Sequence, residues 1–326
     1  MAPTTPPHPD VVDHTKRRQL EDRMDVWNDW LNGNDRHSLK NQLLNLFLND
    51  AIFRALNNGR RMCKEHEDDG GPFVATDGTL GRFINQGYIT MQVAAIRRLV
   101  EQPSDREERQ PISIRRLIKD IKAHRELFTR ECFIAYHDAP YDYEHSEAQM
   151  YLETLESRQA GEDPKFKGLE TRGSDAWGTC IKLHELFDKI SRTNPNKRER
   201  TDTIHDKIFT KLDKSLIFHE INEMVLYADK FVAHAADTTS REFVDADKLQ
   251  VTLNKIRECQ KRILRVTQAV SSELLWLGKQ SPLPEPDPHP FENWGQQWLP
   301  AHAPEDLQRF WQEHIAAVRE IPDLEI

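Results

Sequence analysis

The feature that most constrains this chain is a stripe of apolar residues at sevenfold spacing near its C-terminal third. Leu249, Ile256, Ile263, Val270 and Leu277 recur every seven residues, with Leu253 and Leu274 between them. That repeat places the apolar side chains on one side of an α-helix, and no strand period fits it. The preceding segment has the same character, with Ile217, Ile221, Met224, Val225, Ala228 and Val232 at helical spacing. Two long apolar stripes joined by a polar turn at 236–244 predict antiparallel helices packed in a bundle.

The helical period extends over most of the chain. Leu43, Leu44, Leu46, Phe47, Ile52, Phe53 and Leu56 give the stretch Leu39 to Met62 a broad apolar face, and Ser38 can cap it. Further helices are expected near 86–101, from Ser113 through Phe128, and over 146–157, 174–191, 207–235, 245–277 and 305–319. The segments 65–81 and 136–145 read as loops. No strand pairs and no internal repeat are visible. The fold class is therefore all-α, an antiparallel helical bundle with a Pro-rich C-terminal extension and a terminal helix.

Three regions follow. Residues 1–14 contain Pro3, Pro6, Pro7 and Pro9 without periodicity and read as a disordered tail. Residues 15–278 form the helical domain. Residues 279–326 carry prolines at every second position from Pro282 to Pro290, which favours an extended strap, followed by the last helix. No apolar run is long enough to cross a bilayer. The four cysteines, Cys63, Cys132, Cys180 and Cys259, are far apart in sequence and show no metal-binding spacing. Reduced thiols, a cytoplasmic location and no membrane are expected. No cofactor is implied.

Several motifs can be weighed on residues alone. The glycines between Gly70 and Gly81 lack the Gly-Lys-Ser/Thr of a phosphate-binding loop. His137-Asp138 and His205-Asp206 resemble half of an HD-type metal site, but composition alone gives about one such dipeptide. A metal-dependent phosphohydrolase is thus a third-rank reading, and no metal ligand is assigned. The run from Phe187 to Lys214 has a charge of +3 in a chain of net charge −9. Its Lys197, Arg198 and Arg200 could follow a phosphate backbone.

The remaining candidate is the helix end Tyr227-Ala228-Asp229-Lys230-Phe231-Val232-Ala233-His234, followed by Ala235-Ala236-Asp237. A long amphipathic helix ending in Asp-Lys-x-x-Ala-His, then a polar turn and a second long helix, resembles the HEPN superfamily, and within it the abortive-infection U-type branch. The resemblance covers about residues 207–277. It implies an all-α dimer and a host-defence or toxin-type role. It also implies metal-independent RNA cleavage, in which a His moves a proton and an Arg that precedes it, with four to six residues between them, holds the scissile phosphate. Here the positions expected for that Arg hold Tyr227, Ala228 and Asp229. The same bare spacing elsewhere, as from Arg61 to His66, Arg130 to His137, Arg200 to His205 and Arg309 to His314, occurs about as often as chance predicts.

The expected catalytic set is therefore His234 as proton carrier, with Lys230 or Arg241 at the phosphate. Asp229, Asp237, Lys197, Arg198 and Arg200 form the expected binding surface. RNA, a second copy of the chain and a protein are the candidate partners. The alternative is a helical dimerisation or partner-binding module without catalysis.

Overall fold

A computed structural model describes residues 13–65, 79–161, 176–232, 250–279, 281, 283 and 303–322. The described residues are α-helical with no strand, and a lone antiparallel bridge joins Thr129 to Thr203. Eleven α-helices follow in order. They are α1 His14–Asn32, α2 Leu39–Glu65, α3 Thr79–Leu99, α4 Ile114–Ala123, α5 Arg130–Tyr136, α6 Glu144–Gln159, α7 Ala176–Ser191, α8 Asp206–Leu216, α9 His219–Tyr227, α10 Leu253–Gln268 and α11 Ala303–Arg319. Two π-helical turns, Ala228–Val232 and Ala269–Leu274, extend α9 and α10.

The helix starts follow local chemistry. Asp13, Ser113, Thr129 and Thr252 each accept a hydrogen bond from a backbone N–H three residues on, which satisfies one of the donors left open at a helix start. Ser38 does the same for α2 at 3.4 Å. The first helix begins at His14, so that residue belongs to α1 and not to the N-terminal tail. The rest of that tail, residues 1–12, lies outside the described residues. The Pro-rich strap from residue 284 to 302 does too.

The core holds the apolar faces of these helices. Ile256, Ile263, Val270 and Leu274 are fully buried, as the sevenfold stripe predicts. On α11, Leu307, Trp311, Ile315 and Val318 form one buried stripe that packs on α2. Trp27 of α1 is fully buried and donates its indole N–H to Asp120 at 2.7 Å, which anchors α1 on α4. A buried amide spine crosses the middle of the molecule. Gln260 of α10 donates to Gln92 of α3 at 3.0 Å, and Gln92 donates to the Leu46 carbonyl of α2 at 3.0 Å.

Three helix expectations change. The stretch expected as one helix over 207–235 is broken. Ile217 and Phe218 leave helical geometry (φ −92°, ψ 62° and φ −105°, ψ 147°), and Ile217 is 60% exposed instead of lining the core. The helix expected from Ser113 through Phe128 ends at Ala123, where the next four residues turn before Thr129 caps α5. At α10, Val251 and Thr252 are extended or turning, and the helix starts at Leu253.

One polar cluster ties several of these elements together. Arg130, the first residue of α5, is fully buried. Its guanidinium contacts Asp188 of α7 at 2.8 Å and Asp202 of the 192–205 connector at 2.9 Å, and donates to the His184 carbonyl at 3.2 Å. Its backbone N–H donates to the Asp202 carbonyl at 2.9 Å. Removing one member of a buried ion pair strands the others, at about 3–5 kcal/mol. Arg130→Met should therefore lower unfolding stability by about 3–5 kcal/mol. Urea denaturation followed by circular dichroism measures this, and an unchanged midpoint would contradict the assignment.

Candidate functional site

Asp229 and Lys230 sit in the π-helical turn Ala228–Val232, where the backbone takes an extra residue per turn. Ala228 is buried, and the turn packs against α3. Asp229 does not stand free. Its Oδ1 accepts from Arg97 Nε of α3 at 2.5 Å. Arg97 also lies 3.5 Å from Glu101, one turn further along α3. Lys230 is half-buried in the same turn. His234, Asp237 and Arg241 lie outside the described residues.

Sequence reasoning did not find Arg97. It comes from a helix 132 positions away in sequence, so no local spacing could link it to Asp229. The available signal was weaker: Arg97 and Arg98 close α3, where cations favour the helix dipole.

The basic connector is different from its linear charge. Lys197 is exposed on a short 3-10 turn, Pro195–Lys197, as expected for a surface cation. Arg198 and Arg200 are engaged. Arg198 makes a two-pronged contact with Asp188, with Nε at 3.1 Å and Nη2 at 2.7 Å. That hydrogen bond holds the Arg198 guanidinium above its ordinary pKa. Arg200 reaches Glu131 at 3.3 Å and Asp142 at 3.1 Å, and lies over the Tyr141 ring at 4.0 Å. Behind them is Arg130 on its two aspartates. Arg198 and Arg200 thus join α5, α7 and the connector instead of lining an open track, because each faces a carboxylate brought by the fold.

The two His-Asp dipeptides also have structural surroundings. His205 caps α8, its Nδ1 accepting from the Lys207 N–H at 3.1 Å. Asp206 pairs with Arg125 at 2.6 Å, and that hydrogen bond holds its carboxyl below the usual range. His137 packs edge-on against Phe133, Tyr136 and Trp276, with ring centroids 4.9, 5.0 and 4.8 Å away. Its Nε2 is buried without a hydrogen-bond partner. Among the described residues, no group of three or more His, Cys, Asp or Glu side chains is arranged to hold a metal ion.

Of the other bare Arg-to-His spacings, Arg130 is consumed by its aspartates and Arg309 pairs with Asp306 on its own helix. Cys132, Cys180 and Cys259 are buried and form no disulfide. Burial pushes the Cys259 thiol up to about 12, so it is not a nucleophile near neutrality. No helix among the described residues is long and apolar enough to cross a membrane.

Compared with family models, curated proteins and solved structures, the chain gives no match.

Three histidines, His184 buried and His137 and His314 half-buried, give the protein a defined pH response. Burial pushes His137 down to about 4. Burial also lowers His184, opposed by a hydrogen bond to the Tyr141 carbonyl, and lowers His314, opposed by Asp50. Above about pH 6.5 all three are neutral in folded and unfolded chains alike. As the pH falls, the unfolded chain takes up protons that the folded chain refuses. Stability is therefore lost from about pH 6.5 down toward about pH 4, with His137 contributing on the order of 2–3 kcal/mol. Urea titrations across this range should show the loss, and His137→Phe should flatten it by keeping a ring among rings.

Proposed function

We propose that this chain is a helical pairing module that associates with a second copy of itself through the outward face of α3. The observation that supports this is a stripe on that face. Phe83 is 73% exposed and Met91 49% exposed. They sit four residues either side of Gly87, so all three lie on one line along the helix. A Cβ at Gly87 would meet nothing within 4 Å. A glycine in mid-helix costs roughly 0.5–1 kcal/mol relative to alanine, and no packing among the described residues requires it.

The stripe is symmetric about Gly87. Two α3 helices crossing antiparallel at that residue would place Phe83 of each copy against Met91 of the other, with the backbones close at the glycines. That is the isologous pattern of a two-fold dimer. A contact built on one helix pair falls at the small end of stable interfaces, so the affinity is expected to be about micromolar or weaker.

Gly87→Cys tests the arrangement directly. Mild oxidation should link two copies at the symmetry axis, while the wild type does not crosslink. Phe83→Glu should shift the sedimentation profile to monomer at every concentration. A monomeric wild type at high concentration would remove the proposal.

A second reading keeps the resemblance to HEPN ribonucleases, favoured by the arrival of Arg97 at the end of α9. It supplies a guanidinium where the local string has none. In this reading Arg97 and Lys230 hold the RNA phosphate, His234 carries the proton, and the 2′-hydroxyl attacks without a metal. Asp229 and Glu101 weaken the case, since both share that guanidinium. RNA cleavage in EDTA, reduced at least about 100-fold by both Arg97→Ala and His234→Ala, is the expected outcome. Cleavage that survives both changes would remove this reading.

A further inference from the structure

Helices α4 and α8 pack against each other, and arginines tie both ends of the pair. Near the start of α4, Arg115 donates to the Leu216 carbonyl at the end of α8 at 2.9 Å. Just past the end of α4, Arg125 meets Asp206 at the start of α8 at 2.6 Å. The two helices therefore run antiparallel and are held at a fixed register.

Each helix buries one face. On α4 that face is Ile114, Leu117, Ile118 and Ile121, and on α8 it is Ile208, Phe209, Leu212 and Leu216. The opposite faces carry lysines. Lys207, Lys211 and Lys214 follow at spacings of four and three, so they form one row about 10 Å long on α8. Lys119 and Lys122 form a shorter row on α4. All five side chains are exposed, and none is ion-paired among the described residues.

The carboxylates of these helices are engaged elsewhere. Asp120 accepts from Trp27 at 2.7 Å, Asp206 holds Arg125, and Asp213 is half-buried with its charge acting on Arg115. Together the two helices hold seven cations and three anions, a charge of +4 in a chain of −9. Lysines three and four residues apart on one helix face repel one another, and a polyanion laid across the rows relieves that repulsion.

The chemistry of the partner follows from the rest of the surface. Among the described residues, no large apolar side chain is exposed on α4 or α8, and Ile217 stands just past the end of α8. Trp30 lies beside α4, but the Arg116 guanidinium covers its ring at 4.1 Å. The rows thus offer no ring on which a single strand stacks, no apolar face that enters a bilayer and no apolar centre for a protein contact. A nucleic-acid duplex needs none of these, because it presents its phosphates outward as a continuous series of charges.

We propose that the lysine rows of α4 and α8 bind the phosphodiester backbone of a nucleic-acid duplex without reading its sequence. The site contains none of the groups used for pairing through α3 or for cleavage at the end of α9, so it is independent of both readings. Lys207, Lys211 and Lys214 belong to the linear basic run, and the fold joins them to Lys119 and Lys122 instead of to Arg198 and Arg200.

Fluorescence anisotropy of the full chain with labelled DNA and RNA duplexes tests this. At least one duplex should bind with a Kd below about 100 μM in about 50 mM salt, and a second sequence of the same kind should bind within about threefold. The logarithm of the binding constant should fall with the logarithm of salt at a slope of about −4 to −5, as five phosphate contacts require. Changing Lys207, Lys211 and Lys214 together to Gln should weaken binding at least about tenfold and reduce that slope by about 3. Changing Lys119 and Lys122 together to Gln should reduce it by about 2. The circular dichroism spectrum should not change, since all five positions are exposed. No binding of either duplex at about 100 μM protein would overturn the proposal. So would binding unchanged in both variants, a single strand bound more tightly than the duplex, or phosphatidylserine vesicles that retain the chain where the duplexes do not.

Discussion

Arg130 carries its charge to a position from which water is excluded. Much of the surrounding architecture exists to accommodate that charge. A guanidinium there is tolerable only with opposite charge and full hydrogen bonding around it. Asp188 and Asp202 supply the charge, and the His184 carbonyl supplies a further acceptor. Asp188 is shared with Arg198, so two cations and two anions balance across three segments of chain. The connector between α7 and α8 has no regular secondary structure beyond one 3-10 turn, yet it is fixed by these contacts and by its backbone bonds to α5. The aromatic neighbours, among them Phe187 with its ring 5.0 Å from the guanidinium carbon, exclude solvent and strengthen the pairing.

Periodicity made the helical class legible, and particular residues show how far it reached. Ile256, Ile263 and Val270 are buried where the sevenfold repeat placed them, and Ser113 caps α4 through its hydroxyl. The break at Ile217 and Phe218 was not legible. Leu212 and Leu216 before it, and Ile221 and Met224 after it, are all buried, so the apolar rhythm continues across a bend without proline or glycine to mark it. The end of α4 was hidden in the same way. Leu127 and Phe128 continue its apolar count, although the chain has already turned toward α5.

The candidate site was less legible, for a reason specific to charge. A count of lysines and arginines records how much charge a segment holds, not what faces it. Arg198 meets a carboxylate ten residues back, but Arg200 meets Glu131 and Asp142, about sixty to seventy positions away. Lys197, on a protruding turn, keeps the exposure its sequence implied. Asp229 shows the converse. It read as part of a local string, and the fold made it half of a contact between α3 and the end of α9.

The π-helical turn at Ala228–Val232 has a consequence for how this chain can change. An α-helix advances about 100° per residue, so a surplus residue kept in ordinary winding would put the groups on either side of it out of phase, and a π-helical turn takes the surplus into one wider turn. The turn takes up one surplus residue where α9 meets α3. Removing one residue there would restore ordinary winding and keep the length almost unchanged. It would also change which side chain of the turn meets Arg97. At this place an insertion or deletion of one residue therefore changes which groups meet, and a substitution changes only what those groups are.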